Sequence, residues 1–201
     1  MQIGILGAGN IGGALSQKLA AAGHAVMLGV RDPDSPKARA ARSPGVEFGT
    51  LAAAAAFGDV VVVALPLDAA RAALPELDLA GKTLIDTTNS FGGLPEGFPS
   101  AGAAIAAAAP GAQVAKAWNA TPWEAIVDPV YGGQPIETFV CGDSPAAKAT
   151  AIQLVRDTGF IPVDIGGLAN APLSENFARL WGTLAYQAGY GRGVAFKLVA
   201  R

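Results

Sequence analysis

The chain of 201 residues carries a formal net charge of -2 and is 51% apolar, with a single cysteine and a single histidine. That balance gives no electrostatic reason to expect a nucleic acid or an anionic membrane as partner, and no apolar run reaches the ~18 residues of a membrane span. Cys141 cannot form an internal disulfide, and His24 with Cys141 cannot build a His/Cys metal cluster.

The length suits one compact α/β domain with a small appendage. Met1 runs straight into a strand pattern without a basic segment or cleavage site, so a cytoplasmic protein is expected. The opening Ile3-Gly4-Ile5-Leu6 reads as a buried strand, and Gly7, Gly9 and Gly12 follow at GxGxxG spacing before an amphipathic helix over 12–22. Gly7 permits the tight turn, Gly9 lets a pyrophosphate approach the backbone, and Gly12 lets the helix pack on the strand. A diphosphate would then rest on the unpaired N–H groups at the helix start.

Further strands are predicted over 25–29, 60–65, 83–86 and 113–118, alternating with helices over 50–57, 67–74 and 100–109. Thr50 and Ser100 suit N-caps, and Gly23 and Gly58 suit helix ends. Alternation of this kind predicts a Rossmann-type, doubly wound, mainly parallel sheet, here over residues 1–118. His24 stands between a helix stop and a strand, where a partly buried structural ring is expected.

Beyond Asn119 the texture changes. Thr121-Pro122-Trp123 and the stretch 129–135 read as loops; a strand over 137–142, a helix opened by Ser144-Pro145 and a strand over 160–165 follow. Residues 119–166 could form a small lobe or extend the sheet. Over 167–201, Leu173, Phe177, Leu180, Trp181, Leu184 and Ala188 recur at helical spacing, an apolar stripe for the core or a second subunit. Gly189-Tyr190-Gly191-Arg192-Gly193 reads as a hinge or subunit contact.

The end of the second strand decides which dinucleotide is bound. Arg31 offers a guanidinium fork suited to a 2′-phosphate, whereas the adjacent Asp32 would repel one. The position that is acidic in NAD-preferring sites is held by Gly29 or Val30, which favours NADP.

Together the Gly7-to-Gly12 loop, Gly29-Val30-Arg31, Ala64-Leu65-Pro66, Asp86-Thr87-Thr88-Asn89, Lys116-Ala117-Trp118-Asn119 and Cys141-Gly142-Asp143 resemble the NADPH:coenzyme F420 oxidoreductase family. Its fold also occurs in the reductase domain of the STEAP metalloreductases. The resemblance implies that Gly29-Val30-Arg31 aligns with a Gly-Ser-Arg triplet gripping the 2′-phosphate, with Val30 deleting one hydroxyl donor. It also implies that Gly9-Asn10-Ile11 surround the pyrophosphate, and that Leu65-Pro66 and Asn119-Ala120 flank the nicotinamide.

The expected activity is hydride transfer between NADPH and a deazaflavin (coenzyme F420) or flavin-like acceptor. Such a transfer needs proximity and exclusion of water but no obligatory acid or base. No side chain is therefore assigned a catalytic role. Tyr131, Tyr186 and Tyr190 have no lysine four residues on, and Lys116 in its strand is expected to be structural or at an interface. An anionic acceptor would call for a basic rim, to which Lys116, Arg179, Arg192 and Lys197 could contribute. A small-molecule imine or carbonyl reductase and a non-enzymatic NADP sensor are the alternatives. A homodimer is expected.

Overall fold

The computed structural model describes residues 1–33 and 43–199. Strands β1 (Gln2–Leu6), β2 (Ala25–Val30), β3 (Val46–Thr50), β4 (Val60–Val63), β5 (Thr83–Asp86) and β6 (Gln113–Lys116) run parallel. With β9 (Glu137–Gly142) and β10 (Ile161–Asp164) they form an eight-stranded sheet ordered β10-β9-β6-β5-β4-β1-β2-β3. β9 pairs antiparallel with β6, and β10 parallel with β9, so residues beyond Asn119 extend the same sheet.

The sheet is covered on both faces. Helices α1 (Asn10–Ala21), α5 (Trp123–Val127) and α6 (Pro145–Asp157) lie on one side, and α2 (Leu51–Phe57), α3 (Leu67–Ala73) and α4 (Ala101–Ala108) on the other. Successive strand side chains point to opposite faces. Val60 and Val62 accordingly join Leu15, Leu19 and Leu154 in one core, while Val61 and Val63 join Leu67, Leu74 and Ile105 in the other. The alanine run of α2 has a packing cause. A Cβ on Gly4 would strike the Ala54 carbonyl, and one on Gly29 would come within 2.8 Å of the Ala54 Cβ. Small residues on both partners let this helix lie almost on the sheet.

The predicted caps are present: the Thr50 and Ser100 side chains accept from Ala53 N at 3.1 Å and Ala103 N at 2.9 Å. One strand was not foreseen, and two sequence expectations need correction. Val46–Thr50 is an edge strand beside β2, and its alternation is weakened by a charged residue and a glycine at every second position. The stretch read as loops holds α5 and a hairpin of β7 (Val130–Tyr131) with β8 (Gln134–Pro135), pieces too short to show a period. The closing helix α7 (Ala171–Tyr186) buries Ser174, Glu175, Ala178, Trp181 and Ala185, whereas Leu173 and Leu180 of the expected stripe are exposed. Its inward face is made of small residues, one carboxylate and Trp181, so large aliphatic side chains do not mark it.

No helix among the described residues is long and apolar enough to cross a membrane.

Candidate functional site

The order β4-β1 marks the point where the chain winds in opposite directions, and ligands of open α/β sheets bind beyond the strand ends there. At that point Gly7 takes φ +110, and its N–H donates to the Gly29 carbonyl at 2.9 Å. A Cβ on Gly7 would lie 2.6 Å from the Ala64 carbonyl oxygen, and one on Gly12 would collide with the Gly7 carbonyl. Both glycines are demanded by the fold itself. Gly9 differs, because a Cβ there meets nothing within 4 Å. It is exposed, and the space it leaves is outside the protein. Helix α1 starts beside it with no side-chain cap and no acidic residue in its first turn. Its first amide groups are therefore available to an anion.

Three cavities run along this edge and share their walls. One of about 740 Å³ is lined by Gly7, Gly9, Val30, Arg31, Asp32, Leu65 and Pro66, with Ala69 and Ala72 of α3 opposite. The next, about 530 Å³, is lined by Gly9, Asn10, Ile11, Leu65, Pro66, Thr88, Asn89 and Phe91. The last, about 590 Å³, is lined by Asn10, Ile11, Asn89, Phe91, Asn119, Ala120, Trp123, Arg179, Trp181, Tyr186 and Arg192. Ten of the eleven residues expected to bind cofactor thus line one groove, namely Gly7, Gly9, Asn10, Ile11, Val30, Arg31, Leu65, Pro66, Asn119 and Ala120. Gly12 is buried beneath it.

The far end of the groove is held by strained and reciprocal contacts. Trp118 adopts φ 57, a left-handed conformation costing a bulky residue about 1–3 kcal/mol. Its buried ring fixes that conformation, with the indole N–H donating to Thr158 Oγ1 at 3.2 Å. The turn delivers Asn119 opposite Asn89. Asn89 Nδ2 donates to the Asn119 carbonyl at 2.7 Å, and Asn119 Nδ2 donates to Asn89 Oδ1 at 3.1 Å. Asn119 is 5% exposed, yet its Oδ1 has no partner among the described residues. A buried acceptor of this kind needs a donor from elsewhere.

Helix α7 supplies the outer wall; its apolar stripe was expected to serve packing, and Arg179 a basic rim. Trp181 donates its indole N–H to the Val194 carbonyl at 2.7 Å, and Tyr186 meets its ring edge-on with centroids 5.9 Å apart. Arg192 sits 5.5 Å from both rings and forms a two-pronged ion pair with Glu124, its Nη2 lying 2.7 Å from Oε2. That contact holds the Glu124 carboxyl below its ordinary range and raises the Arg192 guanidinium further. The glycine-rich segment, read as a hinge or a subunit contact, delivers Arg192 to this ion pair.

Lys116 does not reach the groove. It is fully buried, donating to Asp86 Oδ2 at 2.6 Å and to the Thr88 carbonyl at 2.7 Å, with Glu175 Oε1 at 3.2 Å. Lys197 pairs with Glu137 at 2.8 Å, away from the cavity linings. Only Arg179 and Arg192 of the four expected basic residues line the third cavity. Buried Cys141 has its thiol pushed up to about 11 by desolvation, which makes it unreactive near neutrality. His24 bonds Asp157 at 3.0 Å at the opposite, N-terminal edge of the sheet. Among the described residues no His/Cys/Asp/Glu group could hold a metal ion.

The residues present fit a dinucleotide: a glycine cradle open toward an uncapped helix start, an arginine at the end of β2, and an orphan buried acceptor at the far end. Such a cofactor, when bound, supplies a transferable hydride. Fold and site together define an NAD(P)-dependent oxidoreductase. Residues 2–90 match the family model for "NADP oxidoreductase coenzyme F420-dependent". The chain is 30% identical to the F420-dependent NADP reductase of Methanothermobacter marburgensis, covering 90% of each chain. A crystal structure from Arthrobacter sp. FB24, assigned as an F420-dependent NADP-reductase, superposes with a TM-score of 0.86 at 30% identity and full coverage of both chains. Metalloreductase STEAP3 of Rattus norvegicus is 30% identical over 85% of this chain, which spans only 35% of that protein. The chain belongs to the F420-dependent NADP oxidoreductase family.

Proposed function

We propose that this protein passes hydride between NADPH in the first two cavities and a planar deazaflavin or flavin-like acceptor in the third. The observation that carries this reading is the shared wall formed by Asn10, Ile11, Thr87, Asn89 and Phe91. In this reading the nicotinamide end of the groove adjoins a cavity lined by Phe91, Trp123, Trp181 and Tyr186. Aromatic walls suit a flat ring system stacked on them. Among the described residues, no carboxylate, histidine, lysine or thiol lines the third cavity. That lining suits transfer between two rings, for which closeness and exclusion of water are enough.

In this reading Arg31 selects the 2′-phosphate, the first turn of α1 receives the diphosphate, and Asn119 Oδ1 accepts from the carboxamide N–H of the nicotinamide. Leu65 and Pro66 support the ring. The test is titration with NADPH and NADH, followed by separate addition of coenzyme F420 and FMN to the NADPH complex. Tight NADPH binding with rapid bleaching of one acceptor is expected. NADPH binding with neither acceptor reduced would overturn the acceptor assignment and leave an imine reductase or an NADP sensor.

A further inference from the structure

We infer that the buried Lys116–Asp86 pair positions the nicotinamide end of the groove: it fixes the peptide between Thr88 and Asn89, and with it the Asn89–Asn119 bridge. The inference rests on the placement of NADPH given above and adds two positioning residues that line none of the three cavities.

Asp86 and Lys116 are the last residues of β5 and β6 and stand side by side across these parallel strands. Asn89 and Asn119 each lie three positions further on, so both asparagines project from this pair as their base. Asp86 Oδ1 accepts the Thr88 backbone N–H at 2.7 Å, and Oδ2 accepts from Lys116 Nζ at 2.6 Å. Lys116 Nζ also donates to the Thr88 carbonyl at 2.7 Å. Both backbone groups of Thr88 are thus held, and that carbonyl belongs to the peptide carrying the Asn89 nitrogen. Glu175 at 3.2 Å takes the third direction of the ammonium, which leaves no donor for a ligand. Thr87 is tied separately, its hydroxyl donating to the Val63 carbonyl of β4 at 2.8 Å.

Packing alone does not call for charges here. Both side chains are fully buried, and such a pair recovers its desolvation cost poorly. An apolar pair of like volume would fill the sheet as well. What the charges add is direction, because ammonium and carboxylate aim short, charge-assisted bonds at one peptide. The loop after β5 needs that guidance, since Thr87 to Asn89 lie outside any helix or strand. Asn89 must meet Asn119 from both sides, and the orphan Asn119 Oδ1 must stay aimed at its ligand. A group that contacts a ligand is only as precise as the shell behind it.

The test compares NADP⁺ with 2′-phospho-ADP-ribose, which lacks only the nicotinamide, by calorimetric titration of the full-length protein. In Asp86→Asn the amide has one acceptor oxygen for two donors, so one of the contacts is lost. Lys116 keeps Glu175 in that variant, so the buried charge stays balanced. A second variant places Lys116→Met on Glu175→Gln, which leaves the net charge of the cluster as it was. Asp86→Asn should weaken NADP⁺ about tenfold and 2′-phospho-ADP-ribose by less than about twofold. Glu175→Gln alone should weaken neither, and adding Lys116→Met should reproduce the selective loss. Asn89→Ala should weaken NADP⁺ selectively as well. Asp86→Asn should then add nothing in that background, because both changes act through one side chain. Equal losses for the two ligands, additive losses in the double variant, or a selective loss in Glu175→Gln alone would overturn the inference and make the pair a fold-stabilising contact. The two readings fail differently. Native-like NADP⁺ affinity in Asn89→Ala would discard the nicotinamide placement and the inference with it. A selective loss in Asn89→Ala but in neither cluster variant would keep the placement and discard the role of Lys116 and Asp86.

Discussion

Glu175 on α7 comes within 3.2 Å of the Lys116 ammonium at the end of β6, with both side chains buried. The same carboxylate accepts backbone N–H groups from Ala101 and Gly102 at 3.0 Å each, so it also caps α4. Lys116 is shared with Asp86, and the positive end of α4 helps balance the second negative charge. Through this one side chain the outer wall of the third cavity is fastened to the sheet. Removing one member of such a buried cluster strands the others and costs about 3–5 kcal/mol. Glu175→Ala is expected to lower the unfolding free energy by that amount in urea titration, and Glu175→Gln by less. A loss below ~1 kcal/mol for the alanine variant would show that the contact does not hold α7 in place.

Gly9 and Gly12 stand in the same loop for different reasons, and substitution separates them. A Cβ at Gly12 collides with the Gly7 carbonyl, so Gly12→Ala is expected to destabilise the fold by about 1–3 kcal/mol. A Cβ at Gly9 meets only open space, so Gly9→Ala should change stability by no more than ~0.5 kcal/mol. Its effect should fall on the dinucleotide, with NADPH affinity reduced tenfold or more in an equilibrium titration. Unchanged NADPH affinity in a folded Gly9→Ala variant would remove the loop from the cofactor site.

What could be read from the sequence follows from how local each signal is. The glycine loop and strands β1, β2, β4, β5 and β6 announce themselves because apolar runs and turn residues lie within a few positions of each other. Edge strand β3 was missed because Glu47 and Gly49 interrupt its apolar positions, as an exposed outer strand allows. The groove's near half, from Gly7 to Pro66, was legible for the same local reason. Of its outer wall, Arg179 and Arg192 were legible as basic candidates, but their partners were not. Arg179 and Ser90 are 89 residues apart in the chain, and Arg192 and Glu124 are 68 apart. Neither pairing leaves a trace in spacing. The burial of Lys116 was hidden likewise, since its partners Asp86 and Glu175 come from other elements.

Glu124 and Arg192 make the outer wall sensitive to acid. The Arg192 contact, chiefly through its hydrogen bonds, holds the Glu124 carboxyl below its ordinary 4.5. A depressed carboxyl contributes stability that is fully present above the unfolded value and is lost as pH falls through the folded one. Arg192 should therefore stay clamped at neutral pH and release only below pH 4.5. Because Arg192 lies 5.5 Å from the Trp181 ring, tryptophan fluorescence reports the event. The native protein should show an acid transition centred below 4.5 that Glu124→Gln lacks. A transition centred above that value, or one that persists in the variant, would assign the change to other carboxyls.

In the proposed reading Arg31 carries the choice between the two nicotinamide cofactors. It lines the first cavity beside Val30, which is 9% exposed and offers a wall but no donor. Any charge-assisted grip on a 2′-phosphate by the described end of β2 then falls to the guanidinium. Losing a hydrogen bond to a charged group costs about 1.5–3 kcal/mol, roughly a 10- to 150-fold change in affinity. Arg31→Ala is expected to weaken NADPH by that factor in a direct titration while NADH, which lacks the phosphate, changes little. The preference for NADPH is expected to vanish in the variant. Equal losses for both cofactors would place Arg31 against the adenine or ribose instead, and the basis for NADPH selection would then lie outside the end of β2.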